Sequence, residues 1–571
     1  MTKRLGLAAF ALFLFTGAQT QHSSFSQFVD DYFDAQFAFS PSAGTAAGFH
    51  QYDNRIEDLS RVSFERRIQT LHTLLNRLDR LRAGKLSEDD SIDAEVLNGA
   101  IRSELLDLEA LETWRRNPMQ YAYVPGGGVD LLMKRNFAPA RERLVNVIAR
   151  LEGIPAVVAA MKANVENPPR EFTDLAQRMM RGSVGFFDGS VAKWAHDAAG
   201  SDAALMARFQ RANTAAMQAL RDGAAWIEKD LQPRSKGSYA IGAENFRKKL
   251  LYDEMVDTPL DRVLAIGEAN LAKDHQAFID TARRIDASKK PLEVMASLSS
   301  DHPTADALVP FAKATLEKTR QFLIDHQIVT VPSAVRPIVE ETPPYARSGS
   351  FASMDTPGAY ETKATEAFYY VTPPEADWSP KQVEEHLRLY NRPVMDMITI
   401  HEAFPGHYVQ FLYAKQFPTK TRKLTGAGTN VEGWAHYSEQ MMLEEGFGGG
   451  DPKIKLAQLS EALTRDCRYV AGIKLHTAGM TVAQATDLFV NQCFQEPQVS
   501  FEEARRGTYN PTYLYYTLGK LEIYKLREDY RKALGNAYRP REFHDAFVKQ
   551  GGLPIPLLRR ILLPGDGGPA L

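Results

Sequence analysis

A short segment in the C-terminal half contains the residue types of a metal-dependent hydrolase. His401 is followed directly by Glu402, and His407 closes the segment after Pro405 and Gly406. In the common zinc-peptidase motif, His-Glu-x-x-His, both histidines bind the metal from one face of a helix and the glutamate serves as general base. The segment therefore predicts a metal site in which Glu402 is the catalytic base.

The spacing of the two histidines departs from that motif, because His401 and His407 are six residues apart. On a regular helix, six residues turn by roughly 600°, which leaves the two imidazoles about 120° apart around the axis. Pro405 has no amide hydrogen and interrupts the helical hydrogen bonds, and Gly406 tolerates backbone conformations that other residues avoid. We therefore expect a bulged or broken helix that brings His407 back to the side of His401.

A third metal ligand is predicted on a later helix, where Glu432 lies 25 residues after His407. Two histidines and a glutamate leave one coordination position open, which is typical of catalytic zinc sites and not of closed structural ones. Ligand type favours zinc over other metals. The metal would activate a water molecule as the nucleophile, and Glu402 would take the proton of that water and pass it to the leaving group.

Two further residues share the helix face of Glu432. His436 lies four residues and Glu439 seven residues after it, and such spacings place side chains on one side of a helix. Both are candidates to orient the metal ligands through hydrogen bonds. His436 also stays open as an alternative third ligand.

A tyrosine-rich stretch offers groups that could act on the substrate. Residues 505–520 combine four tyrosines with three basic residues. A tyrosine hydroxyl can stabilise the oxyanion that develops during amide hydrolysis, and Tyr513 and Tyr516 are the candidates, with core packing of the rings as the alternative. On the preceding helix, Arg468 and His476 are candidates to bind a substrate carboxylate, with a structural ion pair as the alternative.

The N-terminal elements that must support this site are predicted to be helices. Apolar residues three and four apart indicate amphipathic helices over 64–81, 92–111 and 140–161. Clusters of Gly, Pro and Asn predict breaks between helices at 125–128 and 167–169.

The pattern changes between residues 327 and 378. Residues 328–331 and 367–372 are predicted to be short strands, and the Pro-, Gly- and Ser-rich stretch between them is either a connector or a set of loops beside a cleft. Helical periodicity then returns over a series of segments: 380–390, 393–413, 429–445, 454–476, 482–491 and 513–534.

These patterns predict a mostly α protein with a small β element near residues 328–372. We expect one large helical hydrolase domain over 19–571, after a signal peptide over 1–18. Within that domain, an N-terminal helical part covers about 25–327 and a metal-site part covers about 328–571.

The N-terminus has the order of a secretory signal peptide. Lys3 and Arg4 precede an apolar run over 5–15, and small residues at 16–18 offer a cleavage site. The run is too short to span a bilayer comfortably, and no cysteine follows it to carry a lipid. We expect a periplasmic or secreted mature chain without a membrane span, and an uncleaved anchor is the alternative.

Composition excludes some partners but identifies none. The net charge of −3 gives no basic excess of the kind that binds nucleic acid. Cys467 and Cys493 are the only cysteines, so they either pair in an oxidising compartment or stay as two buried thiols. Nothing in the composition indicates an oligomeric state.

The motifs together resemble the bacterial family known as domain of unknown function 885. The resemblance is carried by four stretches, of which the first two are the most specific: HEAFPGH at 401–407, EGWAHYSE at 432–439, the Tyr-rich 515–521 and the N-terminal 48–59. It implies a mostly helical, zincin-like fold. It also implies that His401, His407 and Glu432 bind the metal and that Glu402 is the base, since members of the family are regarded as candidate metallopeptidases.

The residues and the resemblance together predict zinc-dependent hydrolysis of a peptide or similar amide bond. A large helical body favours an enclosed cleft, and therefore peptides over folded proteins. Two alternatives stay open. A non-catalytic, metal-dependent periplasmic binding protein could use the same ligands, although it would have no need of Glu402. A metal-dependent hydrolase of a non-peptide substrate is equally compatible with the fold, because pocket detail decides the substrate.

Overall fold

The computed structural model describes residues 24–343, 347, 351–375, 378–566 and 568–571. Within these ranges the chain is mostly helical and carries one small sheet, as predicted. The predicted signal peptide over 1–18 lies outside the described residues.

The N-terminal part is a series of helices, several of which continue through a π-helical turn. The predicted helix 92–111, for example, is an α-helix that ends in the π-helical turn Leu106–Ala110. The helices are α1 (Ser24–Phe39), α2 (Pro41–Ala47), α3 (Arg61–Arg82), α4 (Glu88–Leu105), α5 (Thr113–Arg116), α6 (Met119–Met133), α7 (Ala140–Asn164), α8 (Arg170–Phe186), α9 (Ala192–Ala199), α10 (Ala203–Trp226), α11 (Gln232–Arg234), α12 (Ala243–Glu254), α13 (Leu260–Ile285), α14 (Pro291–Leu298) and α15 (Leu308–Asp325).

Helix α7 lies in the core of this part. Its buried residues recur three and four apart, as at Leu144, Val147, Ile148 and Leu151, and it packs against α6 and α10. By length and composition it is the one helix of the described chain that could cross a membrane, although half of that apolar window is buried inside the fold. One stretch after the N-terminus is therefore long and apolar enough to span, contrary to expectation, and a mature chain without a membrane span stays a prediction.

The break predicted at residues 125–128 is also wrong, because α6 runs through it. Pro125 and Gly128 are buried in the helix, and the carbonyl of Gly128 accepts a hydrogen bond from the guanidinium of Arg150 on α7. Tertiary packing here overrides the low helix propensity of proline and glycine. The break predicted at 167–169 is present.

A three-stranded sheet separates the two helical parts, in the order β1-β3-β2. Strand β1 (Ile338–Glu341) pairs parallel to β3 (Phe368–Val371), and β2 (Ala352–Asp355) pairs antiparallel to β3. In this register Met354 of β2 lies opposite Tyr369 of β3. The strand predicted at 367–372 is therefore confirmed as β3, and β2 is an edge strand.

Residues 328–331 do not form the predicted strand. Side chains bind their backbone groups instead: His544 bonds the carbonyl of Ile328, and Asp545 accepts from the amide of Thr330 at 2.7 Å. Tyr413 donates to the carbonyl of Thr330 at 2.8 Å. The segment is apolar and β-branched because it packs in the core, not because it pairs in a sheet.

The metal-site part returns to helices, and the predicted helix 393–413 is divided into two. The helices are α16 (Pro380–Leu387), α17 (Arg392–Glu402), α18 (His407–Tyr413), α19 (Lys420–Leu424), α20 (Gly428–Glu444), α21 (Pro452–Thr477), α22 (Val482–Cys493), α23 (Pro497–Tyr509), α24 (Tyr515–Leu534), α25 (Pro540–Val548) and α26 (Ile555–Leu562).

Two contacts hold the helices of this part in place. Helices α20 and α24 cross backbone to backbone, and a Cβ atom at Gly519 would lie only 1.9 Å from the carbonyl oxygen of Thr429. Cys467 on α21 forms a disulfide with Cys493 on α22, with Cα atoms 6.3 Å apart. The two cysteines are therefore paired and not free thiols.

Candidate metal centre

Three side chains from three helices converge on one point. His401 lies near the end of α17, His407 begins α18, and Glu432 lies in the first turns of α20. One ligand atom from each lies within 4.8 Å of the other two. The Oε2 atom of Glu432 is 3.6 Å from Nε2 of His401 and 3.5 Å from Nε2 of His407. The structure thus brings together the three residues that the sequence proposed as ligands.

The helix break between the two histidines makes this convergence possible. Residues 403–406 are not helical, and the Phe404–Pro405 peptide bond is cis. A Cβ atom at Gly406 would lie 1.8 Å from the carbonyl oxygen of His401, so only glycine fits this turn. The indole nitrogen of Trp434 on α20 donates to the carbonyl of Pro405 at 2.9 Å. The predicted broken helix is therefore confirmed, and α20 supports it.

Glu439 orients His401. Its Oε1 atom lies 2.7 Å from Nδ1 of His401, and its Oε2 atom lies 3.2 Å from Nδ1 of His436. A histidine that donates its Nδ1 hydrogen to a carboxylate can offer the Nε2 lone pair to a metal ion, so this contact would orient His401 as a ligand. His436 is fully buried and faces Glu439, so it lies outside the group of three converging ligand atoms.

Arg465 on α21 is a supporting residue that the sequence reasoning missed. One guanidinium nitrogen lies 3.4 Å from Oε1 of Glu439, and another donates to Glu461 at 2.9 Å. Its guanidinium also lies 5.8 Å from the ring centre of Tyr516. The arginine neutralises a carboxylate that burial would otherwise penalise. Nothing in its sequence position, 26 residues after Glu439, distinguishes it from Arg468, the other arginine of α21.

These contacts set the charges of the cluster. Burial would raise the pKa of Glu432, but hydrogen bonds from His401 and His407 hold it well below its usual range. Burial likewise opposes the charge of Glu439, whose pKa is nevertheless held low by Arg465 and His436. Burial lowers the pKa of His436 to about 3, aided by the positive charge of Lys520, so this histidine is neutral.

Glu402 lies between the cluster and the sheet. Its Oε2 atom accepts a hydrogen bond from the backbone amide of Met354 on β2 at 3.0 Å. The next residue, Asp355, forms an ion pair with Arg135 from the N-terminal part at 2.9 Å and lies 3.4 Å from Lys134. The N-terminal part therefore helps to hold the edge strand against the predicted base.

The N-terminal motif over residues 48–59 has a related role. His50 lies 3.0 Å from Asp53 within the motif and 2.9 Å from Glu361 in the connection between β2 and β3. The amide of Tyr360 donates to the carbonyl of Ala47 at 3.0 Å. The motif thus fixes the loop that carries the edge strand, and it contributes no ligand to the cluster.

The predicted substrate-binding residues are divided between two environments. Tyr516 accepts a hydrogen bond from Arg506 at 3.2 Å and is linked to the cluster through Arg465. Arg468 forms a two-pronged ion pair with Glu503, with both distances 2.7 Å. This pair is the structural alternative that the sequence left open for Arg468.

Tyr513 and His476 both lie against Gly507 of α23. Tyr513 is fully buried, and its hydroxyl would meet a Cβ atom at Gly507 at 2.5 Å. His476 bonds the carbonyl of the same glycine at 2.7 Å. These positions are core packing for Tyr513, and they place His476 at the wall of a cavity.

A cavity of about 480 Å³ opens beside the cluster and is lined by Glu432. Tyr515, which the sequence reasoning passed over, lines it too. A second cavity of about 330 Å³, which His476 lines, shares Asp253 and Thr512 with the first. The two cavities adjoin, and together they form a cleft between the N-terminal and metal-site parts.

The donor set fits a zinc ion. Two imidazole nitrogens and one carboxylate oxygen converge, and a carboxylate holds the outer nitrogen of His401. This combination is typical of catalytic zinc sites with a further position for substrate or water. Glu402, the predicted base, directly follows His401 in the chain, and its carboxylate is bonded to β2.

Comparison with known proteins assigns the chain to a family. Residues 41–562 match the family described as "Bacterial protein of unknown function (DUF885)". The chain belongs to this family. No curated protein matches it. The DUF885 assignment confirms the resemblance seen in the sequence motifs.

Two solved structures are similar to this DUF885 protein over almost its whole length. A candidate lipoprotein of unknown function from Shewanella oneidensis is 27% identical, with a TM-score of 0.80, and the match covers 95% of this chain and 100% of that one. A candidate lipoprotein from Colwellia psychrerythraea is 18% identical, with a TM-score of 0.79, covering 95% and 99%. The second similarity shows a shared fold only.

Proposed function

We propose that this DUF885 protein is a zinc-dependent hydrolase that cleaves peptide bonds, with a zincin-like arrangement of its metal site. The observation that carries the proposal is the convergence of His401, His407 and Glu432 on one point beside Glu402. A metal-binding protein without catalysis needs the three ligands but not an acid–base group held beside them.

In this proposal, different residues of the cluster have different roles in the reaction. Zinc held by the three ligands would polarise the scissile carbonyl and make a water molecule a nucleophile near neutral pH. Glu402 takes the proton from the attacking water and delivers it to the leaving amine. Glu439 accepts a hydrogen bond from Nδ1 of His401, which would leave Nε2 free to bind the metal. Tyr516 is the candidate to stabilise the oxyanion through its hydroxyl, and the guanidinium of Arg465 lies over its ring.

Two features support a peptide as the substrate. Strand β2 is at the edge of the sheet and is bonded to Glu402 through Met354. An extended peptide can run along such an edge and place its backbone beside the base. The cleft beside Glu432 lies between two helical parts, which favours short or unfolded chains over folded proteins.

We also propose that the protein works in the periplasm or outside the cell. The signal-peptide pattern at the N-terminus supports export, and both similar structures are of candidate lipoproteins. The cysteines of this chain are Cys467 and Cys493. The disulfide between these cysteines suits an oxidising compartment.

The test compares Glu402→Gln with the wild type, using the mature chain, its zinc content and a library of short peptides. We expect one zinc per chain in both proteins and turnover at least about 100-fold lower in the variant, because general-base catalysis is lost. Glu385→Gln, which changes an exposed glutamate of α16, is the matched control and should be fully active.

Other outcomes decide between the alternatives. Zinc in both proteins with equal turnover would remove Glu402 as the base. Zinc in both with no peptide turnover, but cleavage of another amide, would make the protein a hydrolase of a non-peptide substrate. Tight zinc binding without turnover of any amide would favour a binding protein.

A further inference from the structure

The cavity beside Glu432 has charges of one sign on its wall. The charged residues that line it are Asp253, Glu254 and Glu432, and no lysine or arginine of the described chain lines it. The remaining wall is largely apolar and aromatic, and includes Val431 and Tyr515. A substrate group that enters this cavity from the metal cluster therefore meets carboxylates and hydrophobic surface.

Two of the three carboxylates are already occupied. Glu432 belongs to the metal cluster. Glu254 accepts hydrogen bonds from the amides of Gly428 and Thr429 at 3.0 and 2.9 Å, and from the hydroxyl of Thr429 at 2.6 Å. It thereby satisfies the first amides of α20, where a helix favours a negative charge. Neither carboxylate is free to bind a substrate.

Asp253 is only partly neutralised. Its Oδ2 atom lies 3.4 Å from the ammonium of Lys249, which also lies 3.3 Å from both carboxylate oxygens of Asp107. One ammonium thus serves two carboxylates, and one negative charge is left over. Asp253 also ends helix α12 together with Glu254, although the end of a helix disfavours acidic side chains. Its local placement costs stability, which is typical of residues kept for function.

Asp253 also lies where the two cavities adjoin. It lines both cavities, whereas Lys249 lines only the second. Its side chain is 27% exposed, so it can be reached from the cleft. A cation in the cavity beside Glu432 would therefore have Asp253 on its wall, whereas Lys249 lines only the adjoining cavity.

We propose that this cavity binds a cationic group of the peptide, an ammonium or a guanidinium, and that Asp253 determines the preference. The proposal rests on the proposed function, because it places the cation next to the bond that is cleaved. The apolar wall takes the aliphatic stem that carries the charge. The group is either the free N-terminus of the peptide or the side chain of a lysine or arginine.

The test measures peptide binding separately from peptide cleavage. Zinc-loaded Glu402→Gln binds substrate without turning it over, so its affinity for peptides can be measured by calorimetry. The peptides share one sequence of five residues and differ in two ways, with a free or acetylated N-terminus and with lysine or norleucine at one position. Asp253→Asn is then added to this background, and Asp257→Asn, an exposed aspartate outside the cavity lining, is the matched control.

We expect the preferred cationic peptide to bind about tenfold tighter than its neutral counterpart, since this is the typical gain from a charge-assisted hydrogen bond. Asp253→Asn should abolish that difference, and Asp257→Asn and Asp253→Glu should keep it. The acetylated peptides identify the source: loss of the preference on acetylation points to the N-terminus, and its retention points to the lysine side chain.

Equal binding of cationic and neutral peptides, or a preference that survives Asp253→Asn in a folded variant, would overturn the proposal. Turnover of the same peptides by the wild type is measured in parallel. Turnover without a cation preference would contradict the cation site alone. An Asp253-dependent preference without turnover would contradict the hydrolase and leave the cation site standing.

Discussion

Arg150 in the N-terminal part and Glu439 in the metal-site part are both buried charged residues, but they have different kinds of partner. In the N-terminal part, the fully buried Arg150 donates to the carbonyl of Asp53 at 2.8 Å and to the hydroxyl of Thr45 at 2.6 Å. Its partners are neutral acceptors. In the metal-site part, the buried Glu439 instead faces ionisable partners, His401 and Arg465.

The kind of partner indicates whether a buried charged residue has a structural or a functional role. A buried cation that bonds neutral acceptors fixes loops and holds helices together, because each acceptor would otherwise be unsatisfied. Buried ionisable groups that face one another are costly to desolvate and rarely add stability. Such groups with shifted pKa values cluster at functional sites. We therefore expect mutations at the two sites to fail in different ways: loss of stability at Arg150 and loss of zinc or activity at the cluster around Glu439.

The largest effect is expected from a metal ligand. His407→Ala leaves two protein ligands for zinc, so its zinc affinity should fall by more than the roughly 100-fold that loss of a supporting hydrogen bond causes. Peptide turnover should fall with it. The matched control is His196→Ala in the N-terminal part, where the side chain is 77% exposed. Zinc affinity is measured by competition with a chelator. Equal affinity in the two variants would contradict the proposal that His407 is a zinc ligand.

A smaller effect is expected one contact away from the metal. Glu439→Gln removes the charge that orients His401 and should lower zinc affinity or turnover by about 10- to 100-fold. Glu461→Gln is the control, because Glu461 also binds Arg465 at 2.9 Å and is not among the partners of His401. The interpretation of Glu439 as an orienting residue fails if both variants bind zinc as the wild type does.

In the N-terminal part the expected effect is on stability alone. Arg150→Met leaves buried carbonyls without a donor, which should lower the free energy of unfolding by about 1–3 kcal/mol. Zinc affinity of the folded variant should be unchanged. Arg211→Met, at an exposed position on α10, controls for loss of an arginine. Urea unfolding and zinc competition on the same samples test both halves of this expectation.

The smallest effect is a pH dependence in the metal-site part. Both carboxylate oxygens of Glu522 lack a hydrogen-bond partner within the described chain, and burial raises its pKa well above the usual value, with Glu254 adding to the shift. Because the pKa of Glu522 is higher in the folded than in the unfolded protein, the free energy of unfolding is highest below the unfolded-state pKa. It falls as the pH rises from there towards the folded-state pKa.

Glu522→Gln should therefore be as stable as the wild type near pH 4 and more stable near pH 9, since the amide cannot ionise. Glu385→Gln should show no such divergence, because that glutamate is exposed. Thermal unfolding at the two pH values checks this, and parallel pH profiles for all three proteins would show that Glu522 does not titrate with folding.

The candidate site could be predicted from the sequence because its signals are local. The residue types at His401, Glu402 and His407 indicate a metal, and Pro405 with Gly406 indicates the break that the six-residue spacing requires. Glu432 follows from the need for a third ligand. Each inference needs only neighbours in the chain and the geometry of a helix.

The supporting residues could not be predicted, since contacts between distant helices select them. Arg465 matters because α21 brings it to Glu439. Tyr515 lines the cavity and Tyr513 lies in the core, although both belong to one aromatic stretch. Asp253 lies 179 residues before Glu432 in the chain. No local pattern distinguishes these residues from their neighbours.

The fold shows the same limit. Periodicity located α3, α4 and α7, because an amphipathic helix repeats its apolar face in the sequence. It failed at 328–331, where side chains of α18 and α25 bind the backbone in place of a neighbouring strand. It also failed at 125–128, where packing keeps proline and glycine helical. In both places the deciding partner is remote in sequence.

The most direct test of the metal centre is anomalous diffraction at the zinc absorption edge from crystals of the zinc-loaded protein. We predict one anomalous peak at bonding distance, about 2.0–2.2 Å, from Nε2 of His401, Nε2 of His407 and a carboxylate oxygen of Glu432. An empty site under saturating zinc, or a peak bound by other residues, would contradict the metal centre and the hydrolase built on it.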